Sequence, residues 1–169
     1  MLDKDGLRPT PDRVRETVFN WLSKDVPGAS VLDCFAGAGG LGLEAASREA
    51  RSVTLVDKDR EVAAHLKRQC ERLQAKNTRV INADVLSFLE TSEDDYELVF
   101  IDPPYVADEL RLQLLSKLIE LNRLRPGALI YLEWPKQQVM ELNHARLSWV
   151  KQKTAGKVRY AIAQWGLSG

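Results

Sequence analysis

Apolar runs of strand length punctuate this chain, and the first four carry an acid at or near their carboxyl ends. The runs are 30–35 (with Asp33), 52–57 (ending on Asp57), 78–84 (ending on Asp84), 96–102 (ending on Asp102) and 128–133 (ending on Glu133). They are rich in branched and aromatic residues and read as strands rather than helices. The stretches between them carry helical periodicity. Val14, Val18, Trp21 and Leu22 share a face of a helix over 12–24, and Val62, Leu66 and Leu73 share one over 60–75. Leu110, Leu114, Leu115, Leu118 and Ile119 form the apolar stripe of a helix over 108–123. Strands alternating with helices give a parallel sheet covered on both faces. Towards the end, 136–142 is expected to be helical, and runs 149–153 and 158–165 alternate like paired strands around Ala155–Gly156.

Local chemistry sets several boundaries. Thr10 is a good N-cap, Pro11 suits the first helical position, and Asp12 complements a helix N-terminus. Asp59 is placed to cap the helix over 60–75, and a short helix begins at Val85. With 169 residues, 44% of them apolar and 28% charged, the chain is expected to be one domain, 1–169, opened by a helical segment over 1–24. Formal net charge is zero, so contact with a nucleic acid must come from local basic patches. Cys34 and Cys70 are far apart and have no CxxC partner, which argues against a metal site or a disulfide framework and fits a reducing cytoplasm. No apolar run approaches the length of a membrane span.

The first run leads into Ala36–Gly37–Ala38–Gly39–Gly40–Leu41–Gly42 and then a helix to about Ala50. Strand, glycine loop and helix together aim backbone N–H groups at a ligand. Gly37 and Gly39 permit close approach, and Gly42 permits tight helix–strand packing. Asp57 follows at roughly the 20-residue distance where a carboxylate meets ribose hydroxyls. In an open parallel sheet, ligands sit at the carboxyl ends of the strands. Asp33, Gly37, Asp57, Asp84 and Asp102 should therefore converge on one edge.

The fourth run stops abruptly on Asp102–Pro103–Pro104–Tyr105. Two prolines end the ladder and stiffen the backbone where a carboxylate and an aromatic ring emerge. A carboxylate and backbone carbonyls accept hydrogen bonds from an amine, and a tyrosine stacks on a base. The plain structural alternative is a strand end followed by a Pro-Pro turn.

These residues carry a family resemblance. Asp33–Cys34–Phe35–Ala36–Gly37–Ala38–Gly39 resembles the S-adenosylmethionine loop of class I methyltransferases. Asp102–Pro103–Pro104–Tyr105 resembles their Asp/Asn-Pro-Pro-Tyr/Phe signature for methylating exocyclic base amines. The block Leu7–Arg8–Pro9–Thr10–Pro11–Asp12–Arg13–Val14–Arg15–Glu16–Thr17–Val18–Phe19–Asn20–Trp21–Leu22 is similar to the opening of bacterial 16S rRNA guanine-N2 methyltransferases of the RsmD type. Lys153–Thr154–Ala155–Gly156–Lys157–Val158–Arg159–Tyr160 resembles their closing strands. The resemblance implies a Rossmann-like class I fold, with a seven-stranded mostly parallel sheet and a C-terminal antiparallel hairpin.

The same resemblance implies roles. Asp33, Phe35, Ala36 and the backbone of Gly37 and Gly39 hold the methionine end of S-adenosylmethionine. Asp57, beside Lys58, takes the ribose, and Asp84, with Asn82 as substitute, takes the adenine amine. Asp102 also borders the cofactor, and with Pro103, Pro104 and Tyr105 it forms the catalytic clamp on the guanine amine. Arg8, Arg13, Arg15, Lys151, Lys153, Lys157 and Arg159 are the candidate RNA contacts; for each arginine the alternative is a solvated surface charge, and for the lysines a solvated hairpin face. The implied setting is cytoplasmic, a monomer acting on small-subunit rRNA within an assembling 30S particle, without metal or membrane. Family members usually carry a basic β-hairpin before the Leu7–Thr10 block; only six residues precede Leu7 here, so that hairpin is expected to be missing.

Three rivals stand beside this reading. Gly37-x-Gly39-x-x-Gly42 formally fits the dinucleotide fingerprint of a nicotinamide enzyme. Asp-Pro-Pro-Tyr also serves adenine-N6 methylation of DNA, although no separate target-recognition domain is evident. A catalytically silent RNA-binding or assembly module is the third. His65 and His144 read as surface residues, Cys34 as a small buried one, and Trp149 and Trp165 as packing.

Overall fold

The computed structural model describes residues 11–103 and 108–166. Seven strands form one sheet in the order β3-β2-β1-β4-β5-β7-β6. They are β1 (Ser30–Asp33), β2 (Ser52–Asp57), β3 (Thr78–Asn82), β4 (Tyr96–Ile101), β5 (Leu124–Pro135), β6 (Leu147–Ala155) and β7 (Val158–Trp165). The first five are parallel to one another, while β7 runs antiparallel to both β5 and β6. The helices are α1 (Asp12–Trp21), α2 (Ala36–Gly39), α3 (Leu41–Ser47), α4 (Arg60–Arg72), α5 (Val85–Thr91) and α6 (Asp108–Glu120).

Side-chain alternation along the strands divides the core. Val31, Leu55, Leu98, Phe100, Tyr131 and Tyr160 pack against α1, α3 and α4 on one face. Leu32, Val56, Val99, Ile130 and Leu132 pack against α5 and α6 on the other. Runs that lacked alternation in the sequence did so because both faces are covered.

Several expected boundaries move, each for a visible reason. Pro11 is the N-cap of α1 rather than its first residue: its ψ of 143° is extended, while its carbonyl already accepts the Arg15 N–H at 3.0 Å. Thr10 lies outside the described residues. Helix α1 ends at Trp21 instead of near Lys24, and turns closed by Asp25 and Val26 N–H on the Leu22 carbonyl carry the chain onward. Phe19, absent from the expected stripe, is fully buried. Helix α4 stops at Arg72, and Gln74 turns left-handed (φ 54°), which leaves Leu73 63% exposed rather than buried. Asn122 (φ 61°) likewise closes the end of α6.

Strand β5 begins at Leu124, well before the expected 128. The Arg125–Pro126–Gly127 turn survives inside it as an irregularity: pairing jumps from Tyr96↔Leu124 to Leu98↔Leu129, so Pro126 is spared a ladder bond. The helix expected over 136–142 does not form. Lys136 N–H donates instead to the Lys157 carbonyl at 2.8 Å, and Met140 and Leu142 pack against the α5/α6 side of the core.

Gly42 fixes how closely α3 can approach the sheet. A Cβ there would lie 2.3 Å from Leu55 Cδ2 and 2.9 Å from Asp33 Oδ2. Gly42→Ala is expected to destabilise the fold by roughly 1–3 kcal/mol, read as a lower urea midpoint; an unchanged midpoint would contradict this account of the packing.

Candidate active site

The site begins where β1 leaves the sheet. Asp33 lies two residues beyond Val31 and so on the α3 side of the sheet, 3% exposed. Its Oδ2 accepts the Gly42 N–H at 2.9 Å. Cys34 and Phe35 turn, α2 makes one helical turn, and Gly40 (φ 69°) swings the chain into α3. The left-handed step thus falls on Gly40, which the motif reading passed over; Gly39 lies within α2.

Asp57 holds the other side of the loop. Its Oδ2 accepts the Gly37 N–H at 3.1 Å, and its Oδ1 accepts the Asp59 N–H at 2.9 Å. A Cβ on Gly37 would lie 2.4 Å from Val62 Cγ1 and 2.6 Å from Asp57 Oδ2, so only glycine seats here. Each oxygen of a carboxylate has two lone pairs. Asp57, half-buried, can therefore tie the loop and still accept hydroxyl donors.

Other expected residues fall around this pair. Asn82 Nδ2 donates to the Asp57 and Lys58 carbonyls, both at 3.1 Å, and so clasps the end of β2. Asp84 caps α5, accepting the Ser87 N–H at 3.2 Å, and its side chain is exposed, as is that of Lys58. Phe35 is half-buried and Ala36 buried. The Cys34 N–H donates to the Phe100 carbonyl at 3.1 Å, which stitches the exit of β1 to that of β4. Asp102 and Pro103 follow directly; Asp102 is half-buried and Pro103 buried. Pro104 and Tyr105 lie outside the described residues.

The hairpin arrives at the same edge by topology. Because β7 is antiparallel to β5, Val158 pairs with Pro135 at the carboxyl end of β5. The β6–β7 turn, with Gly156 at φ 58°, therefore stands beside the strand ends that carry the acids. Lys151, Lys153 and Lys157 are exposed and Arg159 is half-buried. Arg15 reaches Asp12 (2.6 Å) and also lies against the loop, its Nη1 2.9 Å from where a Gly40 Cβ would be. Arg13 is exposed on α1, and Arg8 lies outside the described residues. Trp21 stacks on Tyr160 at 5.4 Å and joins α1 to the hairpin.

One acid at this edge was overlooked among the candidates. Glu133, near the end of β5, is 1% exposed, and its Oε2 accepts the Tyr131 hydroxyl at 2.9 Å. The signal was present: it ends the fifth apolar run as other acids end theirs. Among the described residues, no group of three or more His, Cys, Asp or Glu is placed to hold a metal ion, and no helix is long and apolar enough to cross a membrane.

Burial sets the electrostatics. It raises the Asp33 carboxyl to about 7, against the opposing hydrogen bonds from the Gly42 and Phe35 backbone and with a further push from Asp57. Burial also raises Asp57, opposed mainly by the Asp59 and Gly37 N–H groups. A cationic group arriving beside Asp33 would be welcomed as a counter-charge.

This strand order, with an antiparallel β7 between β5 and β6, departs from the 3-2-1-4-5-6 order of dinucleotide-binding sheets; with a glycine loop after β1, it defines a Rossmann-like class I methyltransferase fold. The comparisons narrow the class. The family described as conserved hypothetical protein 95 matches residues 1–164. Ribosomal RNA small subunit methyltransferase D of Escherichia coli strain K12 is 43% identical over 166 residues, covering 96% of this chain and 81% of that protein. The protein of the same name from Haemophilus influenzae is 40% identical over 168 residues, covering 97% and 86%. The solved structure of yhhF from Escherichia coli superposes with a TM-score of 0.89 at 39% identity, over 95% of this chain and 89% of that one. The chain belongs to the family of ribosomal RNA small subunit methyltransferase D.

The raised Asp33 carries a pH prediction. Between about pH 4 and 7 the folded state holds a proton that the unfolded chain has released, so Asp33 makes stability fall as pH rises through that window and level off above it. Asp57 and Asp25, also raised by burial, add in the same direction. Melting temperatures of Asp33→Asn from pH 4.5 to 7.5 should therefore fall less steeply than those of the unsubstituted protein; parallel slopes would place the buried proton elsewhere.

Proposed function

We propose that the chain transfers a methyl group from S-adenosylmethionine to the exocyclic N2 amine of a guanine in small-subunit (16S) ribosomal RNA. The observation that carries this reading is the stitching of the glycine loop to the strand end bearing Asp102, through Cys34 N–H and the Phe100 carbonyl. It supports the reading because it holds the glycine loop beside the neighbouring strand end that bears Asp102.

The donor set suits S-adenosylmethionine. The loop is drawn tightly onto Asp57 and Val62, where a Cβ at Gly37 would clash, and this seats it at the carboxyl ends of the strands, where a ligand of such a sheet lies. Asp57 would take the ribose hydroxyls with its remaining lone pairs, Asp33 would meet the charge of the methionine end, and Asp84 or Asn82 would border the adenine. When bound, the cofactor supplies an electrophilic methyl group on a sulfonium.

An aromatic amine is a poor nucleophile because its lone pair is delocalised into the ring. Asp102 would accept a hydrogen bond from an N2 proton and localise that pair. The amine gains the methyl carbon as the sulfonium S–C bond breaks and must then lose one N–H proton, which Asp102 would guide out through that hydrogen bond. Tyr105 would stack on the base, and the rigid Pro103–Pro104 link would fix the distance between ring and carboxylate. The base must first leave its stack. Arg13, Arg15, Lys151, Lys153, Lys157 and Arg159, with Arg8, would contact phosphates, so affinity should fall steeply with salt. The relatives' names support rRNA as substrate. The working setting is a cytoplasmic monomer on an assembling 30S particle.

S-adenosylmethionine should raise the melting temperature and NAD should not; the reverse would sink the cofactor assignment. Asp102→Ala should keep cofactor affinity and lose roughly 10²–10⁴-fold in turnover. Asp102→Asn, which still offers a carbonyl oxygen, should retain more. Full activity in the alanine variant would reduce the strand end to a turn.

A further inference from the structure

We propose that Arg15 binds the carboxylate at the methionine end of S-adenosylmethionine, and so serves the methyl donor rather than the RNA. The inference rests on the cofactor reading above. That end of the donor carries an ammonium and a carboxylate. Asp33 would meet the first. The edge where the loop sits carries Asp33, Asp57, Asp84 and Asp102 at or just past its strand ends, so an arriving carboxylate needs a cation to offset their repulsion. Two backbone donors of the loop are already engaged: the Gly37 N–H by Asp57 and the Gly42 N–H by Asp33.

The packing of α1 brings a cation to this place. Arg15 and Phe19 are four residues apart and share a face of the helix. The Arg48 guanidinium, just past the end of α3, lies over the Phe19 ring at 4.9 Å. Arg15 Nη1, at the other end, lies 2.9 Å from where a Cβ on Gly40 would be, just before α3 begins. Helix α1 therefore runs antiparallel beside α3, and its opening turn stands at the carboxyl edge of the sheet. Gly40, without a side chain, leaves the guanidinium its place against the left-handed step of the loop. Other cations fall elsewhere. Arg48 bonds Glu44 at the far end of α3, and Lys58 is exposed past the end of β2.

Arg15 is also open to a ligand. Its side chain is 32% exposed, so no core residue need move for a carboxylate to meet it. The one hydrogen bond that its guanidinium makes among the described residues is to Asp12, whose side chain is 93% exposed. A pair so open to water holds weakly. A guanidinium offers five donors in a planar fork and grips a carboxylate through two of them, so Arg15 can keep or exchange Asp12 as the donor arrives. Arg13, exposed on the same helix, and the hairpin lysines stay with the RNA phosphates.

The test measures binding by calorimetry, without turnover. It compares S-adenosylmethionine with its decarboxylated form, which keeps the amine, sulfonium and adenosine but lacks the carboxylate. The unsubstituted protein should bind the complete donor roughly tenfold or more tightly, as expected for hydrogen bonds between charged groups. Arg15→Gln should lose most of that preference by weakening the complete donor alone. Arg15→Lys, which keeps the charge but not the fork, should retain part of it. Asp12→Asn frees Arg15 of its partner and should keep the preference in full; a drop there as large as in Arg15→Gln would assign the effect to the pair's hold on α1 and overturn the proposal. Equal affinity of the unsubstituted protein for the two compounds overturns it without any variant. So does an undiminished preference in an Arg15→Gln protein that melts cooperatively. In each of those cases binding of S-adenosylmethionine leaves the cofactor reading standing; a protein that binds neither compound fails both.

Discussion

Two carboxylate–glycine bonds hold this site together. Asp33 draws Gly42 to the end of β1, and Asp57 draws Gly37 to the end of β2. Between them they pin both ends of a loop that turns left-handed at Gly40. Hydrogen bonds to charged acceptors contribute about 1.5–3 kcal/mol each, but Asp33 is buried, and desolvation outweighs its bonds enough to lift its pKa to about 7. The loop is therefore tied by a group whose charge is itself under strain. A ligand bringing positive charge beside Asp33 would relieve it.

The rest follows from topology. Parallel strands place their carboxyl ends along one edge, and β1 and β4, being neighbours, bring the glycine loop and Asp102 to adjacent strand ends. The antiparallel β7 returns the chain to that edge, so its turn stands beside the acids instead of at the opposite end. A net-neutral chain thereby carries the exposed Lys151, Lys153 and Lys157 on the hairpin that returns to this edge, while Trp21 on Tyr160 ties the opening helix to the same corner.

Much of this was legible in the sequence. Acids at run ends, the glycine loop, the Asp59 cap and the closing hairpin carry short-range signals, and the structure has them in place. What failed was tertiary. The 136–142 segment has helix-compatible residues, but Lys136 finds its partner on Lys157, across the hairpin. Leu73 fits the period of α4, yet the helix ends one residue earlier. Gly40 looked like one more loop glycine; its positive φ depends on how α2 must turn into α3. The motif also could not show that Asp33 points beneath the loop, to Gly42, because that contact depends on Leu55 and the seating of α3.

If the function proposed above is right, these strand ends form one site joining a methyl donor to a guanine amine. Its most direct test supplies the purified protein with S-adenosylmethionine labelled in the methyl group and small-subunit particles from cells lacking the gene, then digests the RNA to nucleosides for mass spectrometry. Label should appear in N2-methylguanosine, arising from a single position of the small-subunit RNA. Label in N6-methyladenosine, or no transfer by a folded protein that binds the donor, would contradict it.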